Sequence, residues 1–322
     1  MSRISKGLLA AALAVGGLLL PSVVAQAQEQ LVGVNTSNQV FTFNSSTPGT
    51  TTAPMTITGL QTTGETVVGI DRRPFNGLVY AVSQGVGGTG RIYTINTTTG
   101  AATLVSTMSV SLMGTSFGVD FNPVPDTAGN LPSLRIVSDA RQNLRVNVTT
   151  GATTVDGTLT PAMVVSPLDP NIGAAAYTNN FAGAPSTTLY DIDFFRDRLV
   201  IQTPPNNGIL MRVGELSPLV PPMGADITNA LVNFDISGVS GIAYASLTPP
   251  NANFSVLYTV NLSTGVASFV GTIGGGSPLV GLAAPIGAPV PEPTTMLLLG
   301  TGLAGIAAAV HRRRKGDKNE TA

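Results

Sequence analysis

The sequence predicts an all-β fold, a β-propeller of five blades with about four antiparallel strands each. Three observations predict it. Short runs alternate apolar and polar residues between clusters of Gly, Pro, Asn and Thr, the pattern of half-buried strands. No ten-residue stretch between the two ends of the chain carries a helical period. A strand, a polar turn and a closing glycine recur five times, and Gly49, Gly100, Gly151, Gly208 and Gly265 lie 51, 51, 57 and 57 residues apart.

The first element is an N-terminal signal helix. Arg3 and Lys6 precede the apolar run Leu8 to Leu20, and Ala25-Gln26-Ala27 follows with the small-residue pattern of a cleavage site. Residues 1–27 therefore read as a secretory signal peptide cut after Ala27. The run is short for a bilayer span, which needs about 20 apolar residues.

The repeated body occupies residues 28–288. Its strands resemble one another from unit to unit. Val40-Phe41-Thr42-Phe43-Asn44 matches Ile92-Tyr93-Thr94-Ile95-Asn96 and Leu257-Tyr258-Thr259-Val260-Asn261. Upstream, Gly69-Ile70-Asp71 followed by Pro74 matches Gly118-Val119-Asp120 followed by Pro123. Each closing glycine suits a turn that needs positive φ. A period near 50 residues fits propeller blades, with an open sandwich array or solenoid as the alternative. Four blades are contiguous, at about 67–112, 116–160, 174–217 and 232–274. The fifth is split: Leu279 to Leu282 supplies its innermost strand and residues 30–60 the rest, which leaves no open edge at the join.

The C-terminal element spans 289–316, before a polar tail at 317–322. Val290-Pro291-Glu292-Pro293 precedes an apolar run from Met296 to Val310, and Arg312-Arg313-Arg314 closes it. That order predicts a C-terminal membrane helix with its basic end on the cytoplasmic side.

Composition excludes several chemistries. Charged residues are 10% of the chain, against about 25% in ordinary soluble domains. There is no Cys and no Trp, and the one His is His311. A disulfide framework, a Cys-based zinc site and a Ser-His-Asp triad in the body are thereby ruled out. Residues 28–290 hold nine Arg, no Lys, eleven Asp and three Glu, a net charge of −5. A nucleic-acid partner is excluded, since phosphate binding needs a basic face.

The candidate sites are few. Gly85-Val86-Gly87-Gly88-Thr89-Gly90 has dinucleotide-fingerprint spacing, but a strand follows where that site needs a helix, so it reads as a hairpin loop. Asp191, Asp193 and Asp197 form the densest acidic group and the candidate metal site, for Ca²⁺. Against it, no calcium-loop pattern is present, and Arg196 and Arg198 stand ready to neutralise the group. Asp71 and Asp120 occupy equivalent blade positions, where they line the central channel or cap the turn that follows. Arg135, Arg141 and Arg145 cluster around Ser138-Asp139; Arg141 and Arg145 clamp an anionic sugar, or the group pairs with Asp139 and Asp156. Glu65 and Glu215 are the only Glu in the repeats, and neither sits in a hydrolase motif. No catalytic residue and no organic cofactor is assigned.

Two resemblances rest on these residues. The Pro-Glu-Pro box, short apolar run and Arg-rich end resemble a PEP-CTERM sorting signal, read by exosortase in Gram-negative bacteria. That resemblance implies Sec export, inner-membrane anchoring during sorting, and release or attachment at the cell surface or in the extracellular matrix, alongside extracellular polysaccharide. The body resembles the domain of unknown function 4394 family. The residues that carry it are Gly69-Ile70-Asp71, Arg91-Ile92-Tyr93-Thr94-Ile95-Asn96 with Thr99-Gly100, Ala176-Tyr177-Thr178-Asn179-Asn180, Thr188 to Asp193, and Pro204-Pro205-Asn206-Asn207-Gly208. This implies a propeller-like β fold and no activity. The expected function is a non-enzymatic matrix or surface protein. A polysaccharide hydrolase or lyase with an Asp-based or Ca²⁺-assisted site is the alternative, and a protein-interaction module a third. An acidic cluster converging on one channel mouth favours the enzyme; a channel plugged by apolar side chains rules it out.

Overall fold

A computed structural model of the chain describes residues 28–127, 133–163, 169–216 and 231–288. The signal residues Ala25 and Ala27, the sorting residues Val290 to Pro293 and Arg312 to Arg314, and the two terminal helices expected around them lie outside the described residues. No helix among the described residues is long and apolar enough to cross a membrane.

The described chain is all-β apart from two single 3-10 turns. The first sheet contains β1 (Gln30–Asn35), β2 (Gln39–Asn44), β3 (Thr47–Thr51) and the two-residue β4 (Met55–Thr56). The second contains β5 (Thr66–Arg72), β6 (Val79–Gln84), β7 (Gly90–Ile95) and β8 (Ala102–Thr107). The third contains β9 (Phe117–Phe121), β10 (Leu134–Ser138), β11 (Asn143–Val146) and β12 (Thr153–Val155). The short β13 (Thr160–Pro161) leaves the third sheet and pairs in parallel with the edge of the fourth. That fourth sheet is β14 (Ile172–Tyr177), β15 (Leu189–Asp193), β16 (Arg198–Gln202) and β17 (Ile209–Glu215). The fifth is β18 (Val232–Ile236), β19 (Ala243–Leu247), β20 (Val256–Val260) and β21 (Ala267–Thr272). Finally β22 (Leu279–Ala283) returns to the first sheet and pairs antiparallel with β1, setting Gly33 opposite Leu282 and Val34 opposite Gly281.

This is a five-bladed propeller closed by the split blade. The innermost strands β22, β5, β9, β14 and β18 contact one another in a ring. Blade faces pack through alternate side chains, as strands buried on both sides require. Tyr80 of blade two meets Phe121 of blade three edge-on at 5.3 Å, and both are buried. Burying a side chain of that size stabilises by about 1.5–3 kcal/mol.

The repeated turns have a local cause. Asn96, Asn147 and Asn261 each accept the backbone N–H groups two and three residues on, so the side chain folds the turn. The chain then reverses through Gly100, Gly151 and Gly265 at φ of 75°, 75° and 81°. Gly49 departs from the expected pattern. It lies inside β3, because the first blade turns earlier, at Ser45 and Ser46.

Candidate functional site

The axis of the propeller has an open end, a waist and a closed end. The waist is where the inner strands approach most closely. A Cβ on Gly118 would stand 2.5 Å from the Ala175 backbone nitrogen, and one on Gly281 would stand 2.8 Å from Ile70. The cavity left there is about 10 Å³, room for one water at most. The channel is therefore shut by backbone contact.

The open end lies where the inner strands begin. It is a cup of about 340 Å³ whose polar lining is Thr36, Thr66, Gln84, Thr115, Ser116 and Asn233. No titratable side chain lines it among the described residues.

The closed end holds the acids. Asp71, Asp120 and Asp235 come from β5, β9 and β18, and their oxygens lie within 4.8 Å of one another. All three are buried. Each carboxylate joins blades. Asp71 accepts the N–H of Arg72 at 2.6 Å and of Phe121, on the next blade, at 2.8 Å. Asp120 Oδ1 accepts the N–H of Tyr177, again on the next blade, at 3.1 Å. Asp235 accepts Ile236 at 2.6 Å and Ala284 of the split blade at 2.5 Å. Of the two readings of Asp71 and Asp120, both residues stand at the axis, but only Asp71 accepts a local N–H, that of Arg72, while Asp120 caps no turn and bonds the neighbouring blade instead.

Asp120 Oδ2 has no donor. It stands beside the Asp235 carboxyl, and the two hydrogen-bond only when one of them carries a proton. Burial, then the negative charge of Asp235, raises Asp71 well above the carboxylate range. Burial, then Asp71 and Asp235, raises Asp120 likewise. Burial pushes Asp235 up to about 7, against the opposing hydrogen bonds from Ala284 and Ile236. Arg72 stands close enough for its charge to favour ionised Asp71 and Asp235, though its own Nε is buried without a partner.

A strap covers this end. After β22 the chain runs on through Ala284 to Ala288. Pro285 C=O accepts the N–H of Gly238 at 2.9 Å, and Gly287 donates to Asn180 C=O at 2.8 Å, so the strap ties blade one to blades five and four.

Asp235 carried a usable signal in the sequence. Asp71, Asp120 and Asp235 lie 29, 31 and 30 residues before the closing glycines Gly100, Gly151 and Gly265. It lacks the preceding Gly and following Pro that mark the other two.

The other candidate residues are placed apart. Asp191, Asp193 and Asp197 are not brought together as a three-oxygen group. Asp191 is buried with both oxygens unpartnered, and burial raises it well above the carboxylate range, partly opposed by Arg135. Asp193 pairs with Arg196 at 2.8 Å, while Asp197 occupies the turn after β15 at φ 49°. Arg198 pairs with Glu215 instead, at 3.1 Å. Arg135 is buried and bonds Asp156, Asn143 and Asn206 at 2.6–2.7 Å. Arg145 grips Asp156 bidentately and Arg141 pairs with Asp169, whereas Asp139 is held by Thr115. Burial works against ionised Glu65, but hydrogen bonds from Ser83, Tyr93 and Thr62 and the charge of Arg91 hold its pKa below the ordinary value. Gly85 to Thr89 form the turn between β6 and β7, and Gly90 opens β7.

The sequence matches the family described as Domain of unknown function (DUF4394) over residues 39–283. The chain belongs to this family. Residues 289–314 match the PEP-CTERM protein-sorting motif, so this DUF4394 protein is exported and sorted through the membrane by exosortase. None of the curated proteins compared matches it. Among solved structures it is similar to a chain of a nidogen/laminin complex, at 10% identity and TM-score 0.42, over 82% of this chain and 100% of that one. It is also similar to a putative 6-phosphogluconolactonase from Bacteroides fragilis NCTC 9343, at 12% identity and TM-score 0.37, over 81% and 99%. A third is Sqt1 of Saccharomyces cerevisiae, at 13% identity and TM-score 0.36, over 78% and 72%. Likeness at these scores carries no argument about activity.

Proposed function

We propose that this DUF4394 protein is a non-enzymatic binding or structural module of the cell surface or extracellular matrix, working alongside extracellular polysaccharide. One observation carries the reading: the open cup and the acids are at opposite ends of a channel shut between them. The cup offers hydroxyls and amides, which suit a neutral, hydroxyl-rich ligand by hydrogen bonding. It offers no acid and base pair for glycoside cleavage, which needs two carboxyls about 5–10 Å apart across the bond. The three carboxylates that do converge are occupied with inter-blade N–H groups beneath the strap. We read them as a structural pin sharing a proton rather than as a Ca²⁺ site, because five of their six oxygens already accept backbone N–H, whose dipoles favour an anion over a cation.

The test is calorimetric titration of the processed chain with the host's extracellular polysaccharide, with and without Ca²⁺, followed by sizing of the polymer. Saturable binding that Gln84→Ala weakens, with the polymer intact, is the expected result. Shortened polymer would replace this reading with the enzyme, and absence of binding would replace it with a protein-interaction module.

A further inference from the structure

The two ends of the propeller differ in the ionisable side chains they present. At the open end, the turns between second and third strands and the connections between blades carry Asp139, Asp169 and Asp197 together with Arg141, which pairs with the well exposed Asp169, and Arg196. At the strap end, the turns after β5, β9, β14 and β18 carry one acid among the described residues, Asp126. It is buried and paired with Arg73 at 2.8 Å. The exposed side chains of these turns include Phe75, Leu78, Val124 and Val239, at 45%, 51%, 40% and 64% exposure. They come from three different blades. The open end carries exposed apolar side chains as well, Val86, Met113 and Phe195 among them, so it is the lack of exposed acids beside its apolar side chains that suits the strap end to the headgroup level of a bilayer.

The described chain leaves the propeller at this end. The strap carries it across the closed end to Ala288, and the sorting motif begins at the next residue. From Ala288 to the start of the apolar run at Met296 is eight residue steps, at most about 28 Å even when fully extended. The N-terminus is at the same end. Glu29, two residues past the expected cleavage site, is buried against Ser237 and Tyr244, which donate to it at 2.6 and 2.9 Å.

We propose that, while the sorting signal still holds the chain, the strap end of the propeller rests on the lipid bilayer. Phe75, Leu78, Val124 and Val239 then sit at the headgroup level and the open cup faces away. The occupant of this surface is the bilayer into which the chain's own apolar run leads. This orientation does not depend on what the cup binds.

The chain has no cysteine, so single cysteines report cleanly. The full-length protein is reconstituted into vesicles of phosphatidylethanolamine and phosphatidylglycerol containing a headgroup-level nitroxide lipid. Val239→Cys and Phe75→Cys report the strap end, and Val86→Cys, in the β6–β7 turn, reports the open end; each carries an environment-sensitive fluorophore. All three positions are exposed, and circular dichroism checks that each variant folds. The expected result is several-fold stronger quenching at positions 75 and 239 than at 86. Equal quenching at both ends, stronger quenching at 86, or none at any position would overturn the proposal.

Discussion

Replacing Asp120 by Asn removes one buried charge and keeps the shape of the ring. The amide oxygen still accepts the Tyr177 N–H, and the amide nitrogen donates to Asp235 where the carboxyl needed a proton. The magnitude follows from Asp235, whose pKa moves from 3.8 to about 7 on folding. Three units correspond to about 4 kcal/mol. The folded state binds the proton more tightly than the unfolded one, so the contribution is fully present below pH 3.8. It is lost as pH rises through about 7. Asp71 and Asp120, raised by the same burial, act in the same direction. Urea unfolding followed by circular dichroism from pH 4 to 8 should therefore show the native chain losing stability with rising pH. Asp120→Asn should give a flatter profile and be more stable than the native chain at pH 8, by roughly 1–3 kcal/mol, a part of the shift it relieves. A variant less stable than the native chain at pH 8 would refute the reasoning. So would a chelator that destabilises the native chain and spares the variant, since the carboxylates would then be holding a cation.

Gly118→Ala should destabilise by roughly 1–3 kcal/mol, because its Cβ would meet the backbone of blade four at the waist; the urea midpoint measures it. Arg135→Ala should cost about 1–3 kcal/mol in the same assay, since it leaves Asn206 Oδ1 without its donor while Asp156 keeps Arg145 and Asn143 keeps Gln202. Glu29→Ala should cost about 1–3 kcal/mol and speed hydrogen exchange in β1 and β22, because Ser237 and Tyr244 lose the acceptor that holds the closing strand.

Most of the architecture was legible because duplication leaves marks at fixed offsets. Asn96, Asn147 and Asn261 must fold the same turn, so the same residues recur, and the split blade follows from counting Leu279 to Leu282 as a missing inner strand. Contacts between blades were harder to read. Asp71 and Asp120 were visible as repeats, yet their partners Phe121 and Tyr177 lie about 50 residues onward and no local pattern names them. The pairing of Arg198 with Glu215 across β16 and β17 is likewise a matter of register, and it withdrew a neutralising charge from Asp193, which Arg196 supplied alone. Nor does composition reveal the strap, because Ala284 to Ala288 has no pattern of its own and is defined by what it crosses.

The number of acids on the axis has a physical reason. The inner strands and the residue after β22 present the N–H groups of Arg72, Phe121, Tyr177, Ile236 and Ala284 around the closed end, in hydrogen bonds that are buried for the last four and partly buried for Arg72. An unpaired buried N–H costs about 1–3 kcal/mol, so acceptors are needed. Each carboxylate has two oxygens, so two acids would leave one N–H unpaired, and five would crowd five negative charges into one buried ring. Three is the smallest number that pairs every N–H, and alanine stands before the N–H at the other two places, Ala176 and Ala283. Three acids leave one oxygen over, Asp120 Oδ2, beside the Asp235 carboxyl. A proton shared there pairs the sixth oxygen and lowers the buried charge in one step. The residue pattern at the closed end is thus explained by closing the ring, without requiring a substrate.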